Sequence, residues 1–147
     1  WMPGIRLHVV PFTPLLALAK QFDCRLVLEN IYEDTPVTLT TLVEQLDSPW
    51  FGHCFDIGHW RLFGSMPQTG WLAAIAPRLL HLHLHDNRGE NDDHLPIGEG
   101  IIDFAPVFHT LAVLPVPPAI TLEAHGPDEL QRSLANFISL AEKEPTR

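Results

Sequence analysis

LLHLHLHDNRGENDDHLPIGEG, residues 79–100, begins as an apolar run with an imidazole at every second position and ends in a loop of Asp, Asn, Arg, His and Gly. His81, His83 and His85 alternate with Leu82 and Leu84. A strand here therefore puts the three imidazoles on one face and the leucines on the other. Asp86 ends the run, and further coordinating groups follow immediately.

The same arrangement recurs on both sides of this stretch. RLVLEN (25–30), GHCFDIGH (52–59) and AITLEAH (119–125) are also short, rich in Val, Ile, Leu or Phe, and polar at their ends. Such runs fit strands buried on both faces of a parallel sheet. Helical segments separate them. Thr13-Pro14 opens LLALAKQF, Thr35-Pro36 opens VTLTTLVEQL, and Pro67 precedes QTGWLAAIAPRLL. Asp103 is placed to cap FAPVFHTLAVL. Pro127-Asp128-Glu129 opens LQRSLANFISLAEK, whose Leu130, Leu134, Phe137, Ile138 and Ala141 share one face. The alternation predicts βαβ units in a single α/β domain over 1–147. Residues 1–12 (WMPGIRLHVVPF) receive no role.

Composition narrows the function. The 147 residues are 46% hydrophobic, ordinary for a globular chain. No apolar run reaches the roughly 18 residues of a membrane span, and no signal peptide opens the sequence. Cys24 and Cys54 are isolated, which predicts reduced cysteines in a cytoplasmic protein. The formal charge of −9 opposes general nucleic-acid binding and suits acids gathered around a cation.

The strand ends are where parallel α/β folds place their chemistry. Glu29, Asp56, His83 and Glu123 each stand at such an end and supply three carboxylates and one imidazole. That set suits one divalent metal, Mn, Mg, Co or Zn, with positions left for substrate. Singly, each residue also has a plainer reading. Glu29 suits a cap or an ion pair, Asp56-x-Gly58-His59 a turn, His81 a satisfied core histidine, and Asp92 and His94 a solvated loop. The coincidence at every strand end favours the metal.

The ordered segments L-E-N, F-D-x-G-H, H-L-H-D-N, D-x-H-L-P-x-G-E-G-x-I-D-F and L-E resemble the xylose isomerase-like TIM barrel superfamily, from residue 25 to about 140. This superfamily, which includes AP endonuclease family 2, holds sugar (phosphate) isomerases and epimerases together with endonuclease IV-type enzymes. The resemblance implies a (β/α)8 barrel of about 250 residues, of which four strands make only the C-terminal half. A half barrel exposes two sheet edges, so it should meet a copy of itself or a missing N-terminal half, unless the chain is a truncated product.

The resemblance also implies roles. Glu29, Asp56, His83 and Glu123 match the metal ligands of ketose 3-epimerases, where the two Glu also act as catalytic acid and base through a metal-bound cis-enediolate. His59 matches a substrate contact, and Arg88 lies one residue from the place of another. The expected function is thus sugar (phosphate) isomerisation or epimerisation, within carbohydrate metabolism. In endonuclease IV-type relatives, residues matching His59, Asp92 and His94 hold a further zinc. The alternatives are therefore a zinc phosphodiesterase acting at abasic DNA, with Glu29 and Glu123 bridging zincs, or an inactive metal-binding half barrel.

Overall fold

The computed structural model describes residues 12–143. Strands and helices alternate as predicted. The order is α1 (Phe12–Gln21), β1 (Leu26–Glu29), α2 (Val37–Leu46), β2 (Phe51–Asp56), α3 (Ile57–Phe63), α4 (Gln68–Ile75), a 3₁₀ turn (Ala76–Arg78), β3 (Leu79–Leu84), α5 (Ala105–Val113), β4 (Ala119–Leu122) and α6 (Pro127–Ala141). The four strands form one sheet in the order β1-β2-β3-β4, and every pairing is parallel. Pairing aligns Glu29 with Cys54, Asp56 with His83, and Leu84 with Leu122. All four C-terminal ends therefore lie along one edge of the sheet. The residues without a predicted role lie outside the described chain, except Phe12, which begins α1.

Side-chain alternation divides the sheet. Phe55, Leu82 and Leu84 are fully buried, against Ile57, Trp71, Leu72, Ile75, Val107 and Phe108 of the helical layer. The Phe55 and Trp71 ring centroids are 6.3 Å apart. The imidazoles of β3 take the opposite face. Burial on both faces holds for β2 but not for β1 and β4, which leave Val27 and Ile120 exposed. Both are edge strands of a four-stranded sheet, each with a neighbour on one side only. His81 is not a core histidine: it is half-buried, and its Nε2 meets Thr121 Oγ1 at 2.7 Å.

Three local expectations shift. The D-I-G-H segment does not turn: Asp56 caps α3, its side chain accepting from His59 N at 2.7 Å. Phe104, not Asp103, is the cap residue of α5, although the Asp103 carboxylate accepts from Ala105 N. In α6 the docked face is rotated from the predicted stripe. Ser133 is buried, and its Oγ accepts from Ile97 N at 3.1 Å, while Asn136 Nδ2 donates to Ile97 O at 2.7 Å. These two bonds fix the helix on the loop, so Phe137, Leu140 and Ala141 face the core. Leu130, Leu134 and Ile138 are left exposed.

His53 carries a cost in acid. It is buried in β2 with its Nδ1 unpaired, and burial lowers its pKa from 6.5 to about 4. Between those values the unfolded chain binds more protons than the folded one, so stability falls as pH drops from 6.5 through 4. The loss amounts to at most about 3 kcal/mol. Urea unfolding of the His53→Leu variant should show a flatter pH dependence than wild type across this window. Equal slopes would contradict the assignment.

Candidate metal centre

The sheet edge brings the four predicted ligands to one point. Glu29 ends β1, Asp56 ends β2, His83 lies near the end of β3, and Glu123 follows β4, its N–H donating to Leu84 O. Asn30 clasps the first two ends together: its Nδ2 donates to Asp56 O and its Oδ1 accepts from Asp56 N, both at 2.9 Å. His83 Nδ1 is the shared centre. It lies 3.1 Å from Glu123 Oε1, 3.3 Å from Glu29 Oε1 and 3.7 Å from Asp56 Oδ2.

The electrostatics follow from this crowding. The Asp56 carboxylate, foremost, and Cys54 beneath it raise the His83 pKa to about 11 against the cost of burial. Asp56 is wholly buried, which alone would raise its pKa; its contacts with His83 and His85 outweigh that and hold it far below the usual carboxylate range. Burial pushes the Cys54 thiol up, so it stays protonated. At neutral pH the buried Asp56 carboxylate is therefore ionised beside a protonated His83.

The loop after β3 is built on Asp86. Its Oδ1 accepts from Asn87 N and Ile102 N, and its Oδ2 from Gly98 N and Gly100 N, at 2.9–3.1 Å. A side chain on Gly100 would run into Asp86 and Asn87 O, and Gly98 has φ +82°. This is the physical link between H-L-H-D-N and G-E-G-x-I. The folded loop returns Asp92 and His94 to the sheet edge. Asp92 Oδ2 lies 3.1 Å from His94 Nε2 and 3.3 Å from His59 Nε2. His59 Nδ1 meanwhile contacts Asn30 O at 3.0 Å and stands 3.5 Å from Glu29 Oε1. His59 thus borders both groups. Arg88 is exposed and does not join the cluster; its backbone N–H donates to Asp93.

His85, which the ligand pattern leaves aside, lies between the two groups. Its Nε2 is 3.2 Å from Asp56 Oδ1, and both side chains are fully buried. The only sequence signal for it is the period-two repeat of imidazoles on β3.

Around this cluster, Glu29, Asp56 and His59 offer ligand atoms within 4.8 Å of one another, as do Asp56, His85 and Glu123, close enough to hold a cation; His83 Nδ1 meets the three carboxylates at 3.1–3.7 Å without itself belonging to either group. A cation there would replace the His83 proton.

Comparisons with known proteins agree with the fold. A sequence model described as xylose isomerase-like TIM barrel matches residues 11–140. An uncharacterized protein of Methanocaldococcus jannaschii, MJ1311, is 33% identical over 74% of this chain and 40% of its own length. A solved D-tagatose 3-epimerase-like protein superposes with TM-score 0.77 at 26% identity, covering 92% of this chain and 54% of that one. The TTHB071 protein of Thermus thermophilus, soaked with ZnCl2, gives TM-score 0.74 at 28% identity over 99% of this chain and 60% of that one. The chain therefore spans about half the length of these solved structures.

The shared centre makes a direct prediction. Asp56→Asn keeps an N-cap residue but removes the charge that does most to hold the His83 proton. In metal-free protein, NMR titration should show the His83 pKa falling from about 11 toward 6.5. An unchanged value would contradict the arrangement.

Proposed function

We propose a divalent-metal-dependent isomerisation or epimerisation of a sugar or sugar phosphate for this chain, which belongs to the xylose isomerase-like TIM barrel family. One observation carries the reading: the three carboxylates differ in access. Asp56 is fully buried and accepts from the α3 backbone, whereas the Glu29 and Glu123 side chains are 32% and 25% exposed. Asp56 is thus confined to holding the site. Glu29 and Glu123 remain free to meet a substrate, from opposite ends of the strand order.

In this reading Glu29, Asp56, His83 and Glu123 hold the cation, which would polarise a substrate carbonyl and align an adjacent hydroxyl. One glutamate takes the proton α to the carbonyl. The other returns a proton to the resulting cis-enediolate, on the same carbon for an epimerisation or on its neighbour for an isomerisation. His59, held by Asn30 O, borders the open side and contacts the substrate. Asp56 and His83 keep the glutamates at their stations. The phosphodiesterase alternative ranks lower because a formal charge of −9 opposes a DNA backbone.

The proposal includes closure of the barrel by a second four-stranded half, from another copy or from further chain. Exposed Val27 and Ile120 on the edge strands, and Leu130, Leu134 and Ile138 on α6, support it. Among the described residues, no helix is long and apolar enough to cross a membrane.

Solvent deuterium tests the chemistry. Incubation of Mn-loaded protein with ketoses in D2O should wash deuterium into the carbon next to the carbonyl, and Glu123→Gln should abolish the exchange. Its persistence in Glu123→Gln, or chelator-sensitive cutting of abasic DNA in its place, would overturn the reading.

A further inference from the structure

The opposite edge of the sheet, where the strands begin, carries a cavity that the metal centre does not use. Its volume is about 520 Å³. The connections entering β1, β2, β3 and β4 all contribute to it. The length of β2, from Phe51 to Asp56, puts it about 16 Å from the edge that gathers the carboxylates. Phe51, Leu79, Leu80, Leu114 and Val116 give it apolar walls, and the small Ala73 and Ala76 leave one side open. Five prolines of the same connections stiffen it, since each fixes its own φ and presents no N–H. Leu80 settles on Gly52, where a side chain would strike it. The cavity is thus preformed.

Two arginines give this apolar space a sign. The chain has nine Lys and Arg against eighteen Asp and Glu, and two of the nine meet here. Arg78 is engaged: its Nη1 donates to Ser48 O and its Nη2 to Asp47 Oδ1, both at 2.9 Å. Arg25 is exposed, and its side chain has no ion pair or hydrogen bond among the described residues. Asp47 offsets one of the two charges, which leaves a single positive charge beside a cavity of ligand size.

We infer that this cavity binds a small monocarboxylate with an apolar tail, its carboxylate on Arg25 and its tail against Leu80, Leu114 and Val116. A guanidinium grips a carboxylate through two parallel N–H donors. One uncompensated charge matches a carboxylate. A phosphate dianion would keep an unbalanced charge beside Asp47, and a neutral alcohol would leave Arg25 unpaired. The tail takes Val116, now 65% exposed, out of water together with its neighbours. None of the cavity's residues belongs to the metal centre, so the site is independent of the sugar chemistry proposed above.

Titration of the chelator-treated 147-residue chain with butyrate, hexanoate and octanoate tests this by calorimetry and methyl NMR. Affinity should rise about fourfold per added methylene. The Leu80, Leu114 and Val116 methyl signals should move, while that of Ala124, next to Glu123, stays in place. Arg25→Gln should weaken hexanoate at least about tenfold, to the level of hexanol on wild type. Ala73→Trp places a large side chain at an exposed helical position, so it should fill the cavity and abolish binding without unfolding the chain. The site is overturned by octanoate that moves none of the three methyl signals, by Arg25→Gln binding hexanoate as wild type does, by a folded Ala73→Trp that still binds, or by hexyl phosphate binding tighter than hexanoate.

Discussion

Three carboxylates do not gather at one point without a positive group among them. Glu29, Asp56 and Glu123 come from three separate strand ends, yet all reach His83 Nδ1 within 3.7 Å. Asp56 foremost, with Cys54 and Glu123 adding to it, holds the His83 proton to about pH 11. That charge balance is the condition on which the rest depends. It separates a buried, ionised Asp56 from two more accessible glutamates.

The fold meets this condition with polar clasps as well as apolar packing. Phe55, Leu82 and Leu84 anchor the central strands on Trp71 and its neighbours, which fixes the register of Asp56 against His83. Asn30 ties the end of β1 to the end of β2, and Asp86 gathers four backbone N–H groups, so that the loop after β3 returns to the sheet. Neither residue is a candidate ligand. Both determine whether the ligands meet, since a slip of one strand or an open loop would remove a carboxylate from the cluster.

Much of this is legible in the sequence, because periodicity and strand-end polarity are local. The four apolar runs coincide with the four strands, and the polar end of each run points to one rim. What escapes the sequence is decided by tertiary contact. The helix after Asp56 reads as a turn because Asp and Gly favour turns as well as caps. The docked face of α6 departs from its leucine stripe because Ser133 and Asn136, two polar residues, bind the Ile97 backbone. His81 and His85 look alike on one strand face. One lies at the half-exposed end beside Thr121, the other is sealed between Asp56 and His94. Only the packing of Gly58 and the folded loop separates them.

Anomalous diffraction from crystals grown with Mn²⁺ tests the central claim most directly. The account predicts one strong peak at the sheet edge, with oxygens of Glu29, Asp56 and Glu123 and the Nδ1 of His83 all within about 2.0–2.6 Å. A map with no peak beside His83, or one in which any of these three carboxylates turns away from the ion, would contradict it.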